Sequence, residues 1–452
     1  MGLGFCGDIR VERRFERMLE GIVKSGSLVL RKVGTDRAAE IAAHRFLGSA
    51  RVTPQAILDE AAVRTAQSCF GRRVVVAQDT TEINFSGRDK GRRGLGLGGD
   101  GTGLGFFVHP LVVIDADDET VLGVAGAKIW TRPLAKVKAH RQKRLLEDKE
   151  SMRWIEAAQT AAERLADAAA IVMVGDREND IYQAFTRKPD RVDLVTRARG
   201  DRKLADGGLL FATAAAFPAA IEIDVPVAPS QPRAPGERGR VARVAVSFGK
   251  ATIVKPKTGR ACADCKSFEI NVVVAREIAA PAGAKPLLWR LLTTLPIETV
   301  EDALEVIRLY RLRWRIEEVF RVLKRDGLAL EETQVETARR LFNLAALAVV
   351  AAARIIQLTD ARDASPRPAT DVIAEGLIEA TAAIGATLEG RTAKQKNPHS
   401  PGSLSWLAWI TARLGGWHGY YKPPGPKTMA DGWRRLTAML DGYVIAHGKS
   451  LV

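Results

Sequence analysis

Between residues 72 and 200 the chain stops reading as helix and delivers strands in one particular order. That order restricts the fold more than any other feature of the sequence. "RRVVVAQDTTEINF" (72–85), "LGFFVHPLVVID" (104–115) and "TVLGVAGAKIW" (120–130) are β-branched or aromatic runs bounded by Gly and Asp. A helical stretch, roughly His140 to Ala169, leads into the apolar strand of "AIVMVGDREND", then a short helix and the strand of "RVDLVTRARG". Three strands, helix, strand, helix, strand is an α/β order in which adjacent hairpins meet one crossover. From about 201 to 297 the helical pattern disappears. Runs such as "AIEIDVPVA", "SFEINVVVAREI" and "LLWRLLTTLPI" predict an inserted β subdomain there rather than one connection. Helical periods flank this part: "RVERRFERMLEGIV", "DRAAEIAAHRFLG" and "VTPQAILDEAAVRTA" before it, then 336–359, "SLSWLAWITARLGG" and "GWRRLTAMLDGYVIA" after it. A polar, Pro-containing spell occupies 360–402. The expected domains are helical over 1–70, α/β over 71–361 with the insertion inside it, and helical over 362–452.

Composition narrows the class. With 452 residues and 46% hydrophobic content the chain has room for two or three domains and an ample core. The net charge of +15, mostly arginine, favours a phosphate-rich partner. Four cysteines exclude a disulfide scaffold and point to a reducing compartment, the cytoplasm. "MGLGFCGDIR" lacks a basic start followed by an apolar core, so no secretory signal is expected. The apolar run from Leu344 to Ala353 is too short to span a bilayer. Cys262 and Cys265 form a CxxC without a second ligand pair, which reads as two thiols in a loop or hairpin rather than a zinc site. Gly94, Gly96 and Gly99 match GxGxxG, but no helix and no GK[ST] follow, so a hairpin loop is expected and not a nucleotide site.

The acids carry more information. Asp79 lies inside the first strand run and Asp176 where the "IVMV" strand gives out. A charged carboxylate at such places is costly unless paired, hydrogen-bonded or metal-bound. If those strands are neighbours, Glu317 from "YRLRWRIEEVFRVLKRDG" (310–327) could pack across them. Read as one helix from Tyr310, that stretch puts Arg313, Glu317 and Lys324 at about 300°, 340° and 320°, within about 60° of Tyr310. A solvated salt-bridge face explains most charged stripes of this kind. A single acid flanked by bases along one line is also how a protein would present a metal-binding carboxylate to a polyanion. Three converging carboxylates suit Mg²⁺, which prefers oxygen ligands and keeps open positions. Arg10, Arg13, Arg14 and Arg17 crowd the first helix, which reads as a solvated face or as a DNA-contacting one.

"QDTTEINF", "GDREND" and the spacing Tyr310-x-x-Arg313-x-x-x-Glu317-x-x-x-x-x-x-Lys324 resemble the three acidic blocks of bacterial DDE transposases. "RWRIEE", "PLLWRLLTTLPIET", "SLSWLAWITARLGG" and "LDGYV" extend the resemblance, in order, to the IS-four insertion-sequence family. The resemblance implies an RNase H-like catalytic core with a β insertion between helical ends. Asp79, Asp176 and Glu317 would be a catalytic triad holding two Mg²⁺, with Mn²⁺ as a substitute. It further implies transposon-end DNA contacts by Tyr310, Arg313, Lys324, Arg321 and Arg197. Trp289 would stack on a flipped base, and Arg10 and Arg14 would belong to an end-binding segment. The C-terminal blocks would form a homodimer that pairs two double-stranded DNA ends. Two other readings stay open: a non-catalytic DNA-binding inhibitor or domesticated relative, and a Mg²⁺ nuclease of the same fold.

Overall fold

The computed structural model describes residues 8–34, 36–87, 91–99, 101, 103–134, 147, 149–227, 239–256, 265–281, 283–284, 286–325, 328–363, 367–420 and 423–447. Cys262, Gly327 and most of 135–148 lie outside them, and so do the first half of the CxxC, whose Cys265 is exposed, and the start of the helix expected from His140.

The N-terminal helices form where local signals predict. Helix α1 (Ile9–Ser25) is capped by the Asp8 carboxylate on the Arg10 N–H, ends at Gly26 in the left-handed region, and buries Phe15, Met18, Ile22 and Val23 along one stripe. Helices α2 (Leu30–Val33), α3 (Arg37–Gly48) and α4 (Pro54–Ser68) follow; Thr53 caps α4, and Pro54 opens it, where its missing N–H costs nothing.

Among the described residues, eleven strands then build one sheet. They are β1 (Arg73–Gln78), β2 (Thr81–Asn84), β3 (Gly96–Leu97), β4 (Leu104–Asp115), β5 (Val121–Trp130), β6 (Ala170–Gly175), β7 (Val192–Arg197), β8 (Ala219–Val227), β9 (Arg240–Val254), β10 (Ser267–Glu277) and β11 (Leu288–Thr293). β5 pairs antiparallel with one edge of β4, and β1 and β2 lie end to end along the other. β6 runs parallel to β1, and β7 parallel to β6. The order β5-β4-β1-β6-β7 is compatible with the expected RNase H-like core. The expected β insertion does not fold as a sheet of its own. β11 pairs with β7, and β10, β9 and β8 follow in succession, so it prolongs the core sheet. Nor is helix absent from it, since a six-residue helix forms at Leu210–Ala215.

Alternate residues of the core strands enter two apolar cores, as strand geometry requires. Val75, Ala77, Val172, Val174 and Val195 face one; Val74, Val76, Ile171, Met173 and Leu194 face the other. The second core is roofed by α5 (Met152–Arg164), α6 (Tyr182–Thr186) and α7 (Leu210–Ala215). The first is covered by the N-terminal helices with α8 (Val300–Arg311), α9 (Trp314–Lys324) and α10 (Ala338–Asp360), then α12 (Leu404–Leu414) and α13 (Pro426–Ala446) beyond α11 (Ile378–Leu388). The polar spell 360–402 therefore contains helix α11. α10 is long and apolar enough to cross a membrane by length and composition, more so than the run Leu344–Ala353 suggested. Yet 83% of its apolar window is buried, and it packs against β4, β5, α1, α3, α4, α9, α12 and α13 as a core helix.

Candidate active site

The run at 72–85 is not one strand. Ala116 N–H donates to Arg73 O and Phe85 N–H to Leu104 O, so odd-numbered residues of this run form the hydrogen-bonded pairs with β4. Continuing the register from Gln78↔Leu111 and Thr81↔Val108 puts Asp79 opposite Pro110, which has no N–H to offer. The ladder skips there, and Asp79 stands in the gap between β1 and β2 instead of inside a strand. Its Oδ1 accepts from the Thr80 N–H at 2.7 Å.

Asp176 follows β6 at the same level. Val174 pairs with Ala77, so Asp79 and Asp176 each lie two residues further along adjacent parallel strands. The strand stops because Asp176 caps a 3-10 turn (Arg177–Asn179), accepting from the Glu178 N–H at 2.7 Å. Gly175 makes the tight turn possible, since a Cβ there would lie 2.7 Å from that of Asn179. Gly175 also stands beside Thr196, which brings Arg197 level with Asp176 on the next strand. Acid, acid and base thus line the carboxyl ends of three parallel strands.

Glu317 comes from the helical side. The stretch 310–327 is not one helix: α8 ends at Arg311 and α9 starts at Trp314. Between them the hydrogen bonds tighten to three-residue spacing, with Leu312 N–H on Leu309 O and Arg313 N–H on Tyr310 O. Tighter winding advances the chain further per residue, so the even 100° phasing fails across that joint. The Arg313–Glu317 relation survives within α9. Arg313 Nη1 donates to Asp79 Oδ2 at 3.0 Å and to Glu317 Oε1 at 3.4 Å, tying strand and helix acids to one guanidinium. Trp314, the first residue of α9, is 60% exposed, with the Arg313 guanidinium 5.3 Å from its ring centre.

Charge couples the group. Burial pushes the Asp79 carboxyl up to about 7, with the charges of Asp176 and Glu317 adding to it and the Thr80 N–H and Arg313 opposing. Burial lowers Arg197 and raises Tyr310, and each feels Arg313 and Asp176. Tyr310 is also 5.4 Å, edge to face, from half-buried Trp289 on β11. Arg197 donates to Leu288 O at 3.0 Å.

The other candidates lie further out. Lys324 is 4.0 Å from Glu331, and Arg321 is exposed on α9. Arg10, exposed and paired with Asp8, and half-buried Arg14 lie on α1, which packs on α2, α3, α10 and α13; none of these carries one of the three acids. The GxGxxG segment forms β3 and its turn. A Cβ on Gly96 would fall 1.4 Å from Arg132 O, so these glycines serve close packing and not a phosphate.

A cleft of about 240 Å³ opens beside the two aspartates, lined by Thr80, Glu82, Phe107, Trp130, Arg132, Glu150, Arg153 and Glu178 as well as Asp79 and Asp176. Arg153 and Glu178 escape a sequence reading: nothing in the helical pattern says which arginine of the 140–169 stretch turns inward. A cleft of carboxylate oxygens around an under-compensated Asp79 fits a hard divalent cation. Among the described residues, no three His, Cys, Asp or Glu side chains are grouped closely enough to hold one ion as they stand. Asp79 and Glu317 instead share the Arg313 guanidinium.

Residues 106–354, more than half of the chain, match the family model described as Transposase DDE domain. The matched span holds Asp176, Glu317 and most of strand β4, against which Asp79 is aligned, and begins after Asp79 itself. With that match over this geometry, the chain belongs to the DDE transposase family.

Proposed function

We propose that this protein is a cut-and-paste DNA transposase whose catalytic acids are Asp79, Asp176 and Glu317. The family supports transposase function and DNA as the partner. The observation that carries the residue assignment is the meeting of both aspartates at the carboxyl ends of β1 and β6 with Glu317 across a shared arginine. Divalent ions bound by these acids, Mg²⁺ with Mn²⁺ as a substitute, supply an activated water and stabilise the leaving oxygen. The acids hold that charge at the strand ends. Arg313, Arg197 and Lys324 position phosphates of the transposon end, Tyr310 orients the nicked strand, and Arg321 extends the basic face along α9. Each end is nicked by water, the freed 3′ hydroxyl attacks the opposite strand to give a hairpin, and the reopened 3′ ends join target DNA. Trp289 stacks on the base displaced during hairpin formation. Arg10 and Arg14 contact the end from the N-terminal helices. The finer placement is with the IS-four family and transposases of the Tn-five type, acting in the cytoplasm as a homodimer on two ends.

The test is cleavage of inverted-repeat DNA by purified protein. Asp79→Ala, Asp176→Ala and Glu317→Ala should each lower Mg²⁺-dependent nicking by about 10³-fold or more while gel-shift binding persists. Wild-type nicking by any of the three overturns the assignment. Absence of hairpin ends from the wild-type products overturns the cut-and-paste chemistry alone.

A further inference from the structure

Arg153, at the start of α5, has a side chain only 8% exposed, and it makes three directed hydrogen bonds. Its Nε donates to Thr80 Oγ1 at 2.8 Å, its Nη2 to Glu178 Oε2 at 2.7 Å and its Nη1 to Glu150 O at 2.9 Å. Thr80 is the residue whose N–H holds Asp79, and Glu178 is the residue whose N–H holds Asp176. One planar group therefore joins the backbone step after the first acid to the turn that fixes the second.

The bridge is backed on the strand side. Thr80 Oγ1 lies 2.9 Å from His109 Nδ1, and His109 Nε2 lies 3.2 Å from Gln78 Oε1. The guanidinium donates to the hydroxyl, and with Gln78 Oε1 accepting at Nε2 the neutral ring accepts the hydroxyl's hydrogen bond at Nδ1. Nε2 then carries the ring's proton and donates to Gln78. Burial holds the His109 imidazole well below its usual range, so the ring is neutral. The neighbouring residues Gln78 and Thr80 are both held, with Asp79 between them. A buried guanidinium is expensive to keep compared with an apolar side chain of the same size, and here two of its three directed hydrogen bonds go to the two loops that carry the acids.

We propose that Arg153 is a positioning residue that sets the separation of Asp79 and Asp176 by bridging Thr80 and Glu178. The inference rests on the reading of those two acids as cation ligands. Residues that orient metal ligands typically change metal affinity by about 10- to 100-fold when removed.

The experiment is a Mn²⁺ titration of the full-length protein without DNA, reading free Mn²⁺ by electron paramagnetic resonance, with thermal unfolding in EDTA as a fold control. Arg153→Gln should weaken Mn²⁺ binding by about 10-fold or more. Arg153→Lys should recover only part of this, because one ammonium cannot serve both partners in the guanidinium's geometry. Glu178→Gln and Thr80→Val alter the two far ends of the bridge and keep the proposal testable if Arg153→Gln does not fold. Each should weaken binding several-fold, and the double variant should lose less than the two single losses combined. Wild-type Mn²⁺ affinity in folded Glu178→Gln and Thr80→Val overturns the bridge. If Asp79→Asn also binds Mn²⁺ as the wild type does, the reading of the acids as ligands has failed, and the bridge fails with it.

Discussion

Asp79 is held with too little compensation for its charge, and this has a pH signature. Its folded-state value of about 7 lies above the ordinary 3.8, so the fold binds this proton more tightly than the unfolded chain does. The stability it contributes is complete below about pH 4 and is lost as pH rises through about 7. Asp79→Asn, permanently neutral, should keep that stability and exceed the metal-free wild type at pH 8 by up to about 4 kcal/mol. The two should converge at about pH 3.5. Urea unfolding of both proteins at the two pH values checks it; a comparison within the wild type would mix in Asp360, which burial also pushes up to about 7. Under the proposed function the same proton would compete with a cation. Mn²⁺ affinity should fall as pH drops below about 7 and level off above it, and a profile flat from pH 5 to 8 would contradict this account.

At the scale of elements, the helix that carries Glu317 is anchored from behind. Arg315 Nη1 reaches Glu318 at 3.1 Å and the buried Asp360 at the end of α10 at 3.1 Å, while the other Asp360 oxygen accepts from the Val121 N–H of β5. Asp360→Ala leaves Arg315 with only its surface partner and the β5 N–H with none. It should cost about 3 kcal/mol in urea unfolding at pH 8. It should also slow end cleavage, since α9 then rests on the core without its tie. Most elements were readable beforehand because their signals are local. The apolar stripe of α1, the Thr53-Pro54 start of α4 and the β-branched runs of β1, β6 and β7 need no partner to be recognised. What escaped the sequence depends on partners. Pro110 is visible in "FFVHPLVV", but that it would face Asp79 follows only from the pairing of β4 with β1. The joint between α8 and α9 has neither Gly nor Pro to announce it. Asp79 and Asp176 were legible because a charge closing an apolar strand demands a reason. Arg153 was not, because a helical arginine normally points to water.

At the scale of the molecule, the excess of positive charge should appear as steep salt dependence of DNA binding. Arg313→Ala, Arg197→Ala and Lys324→Ala should each reduce the slope of log K against log salt by about 1 if each meets one phosphate. Arg37→Ala, at an exposed position on α3 paired with Glu40, should leave it unchanged. Unaltered slopes in all three variants would remove these residues from the interface. The joining of β11 to β7 has a different consequence. Excising 201–297 to obtain a minimal enzyme would strip β7 of its neighbour and leave a row of open peptide groups next to Arg197, ready to recruit the same row of another chain. Such a shortened protein should sediment as aggregates, so the insertion also serves as the permanent selvedge that keeps the catalytic fabric from fraying.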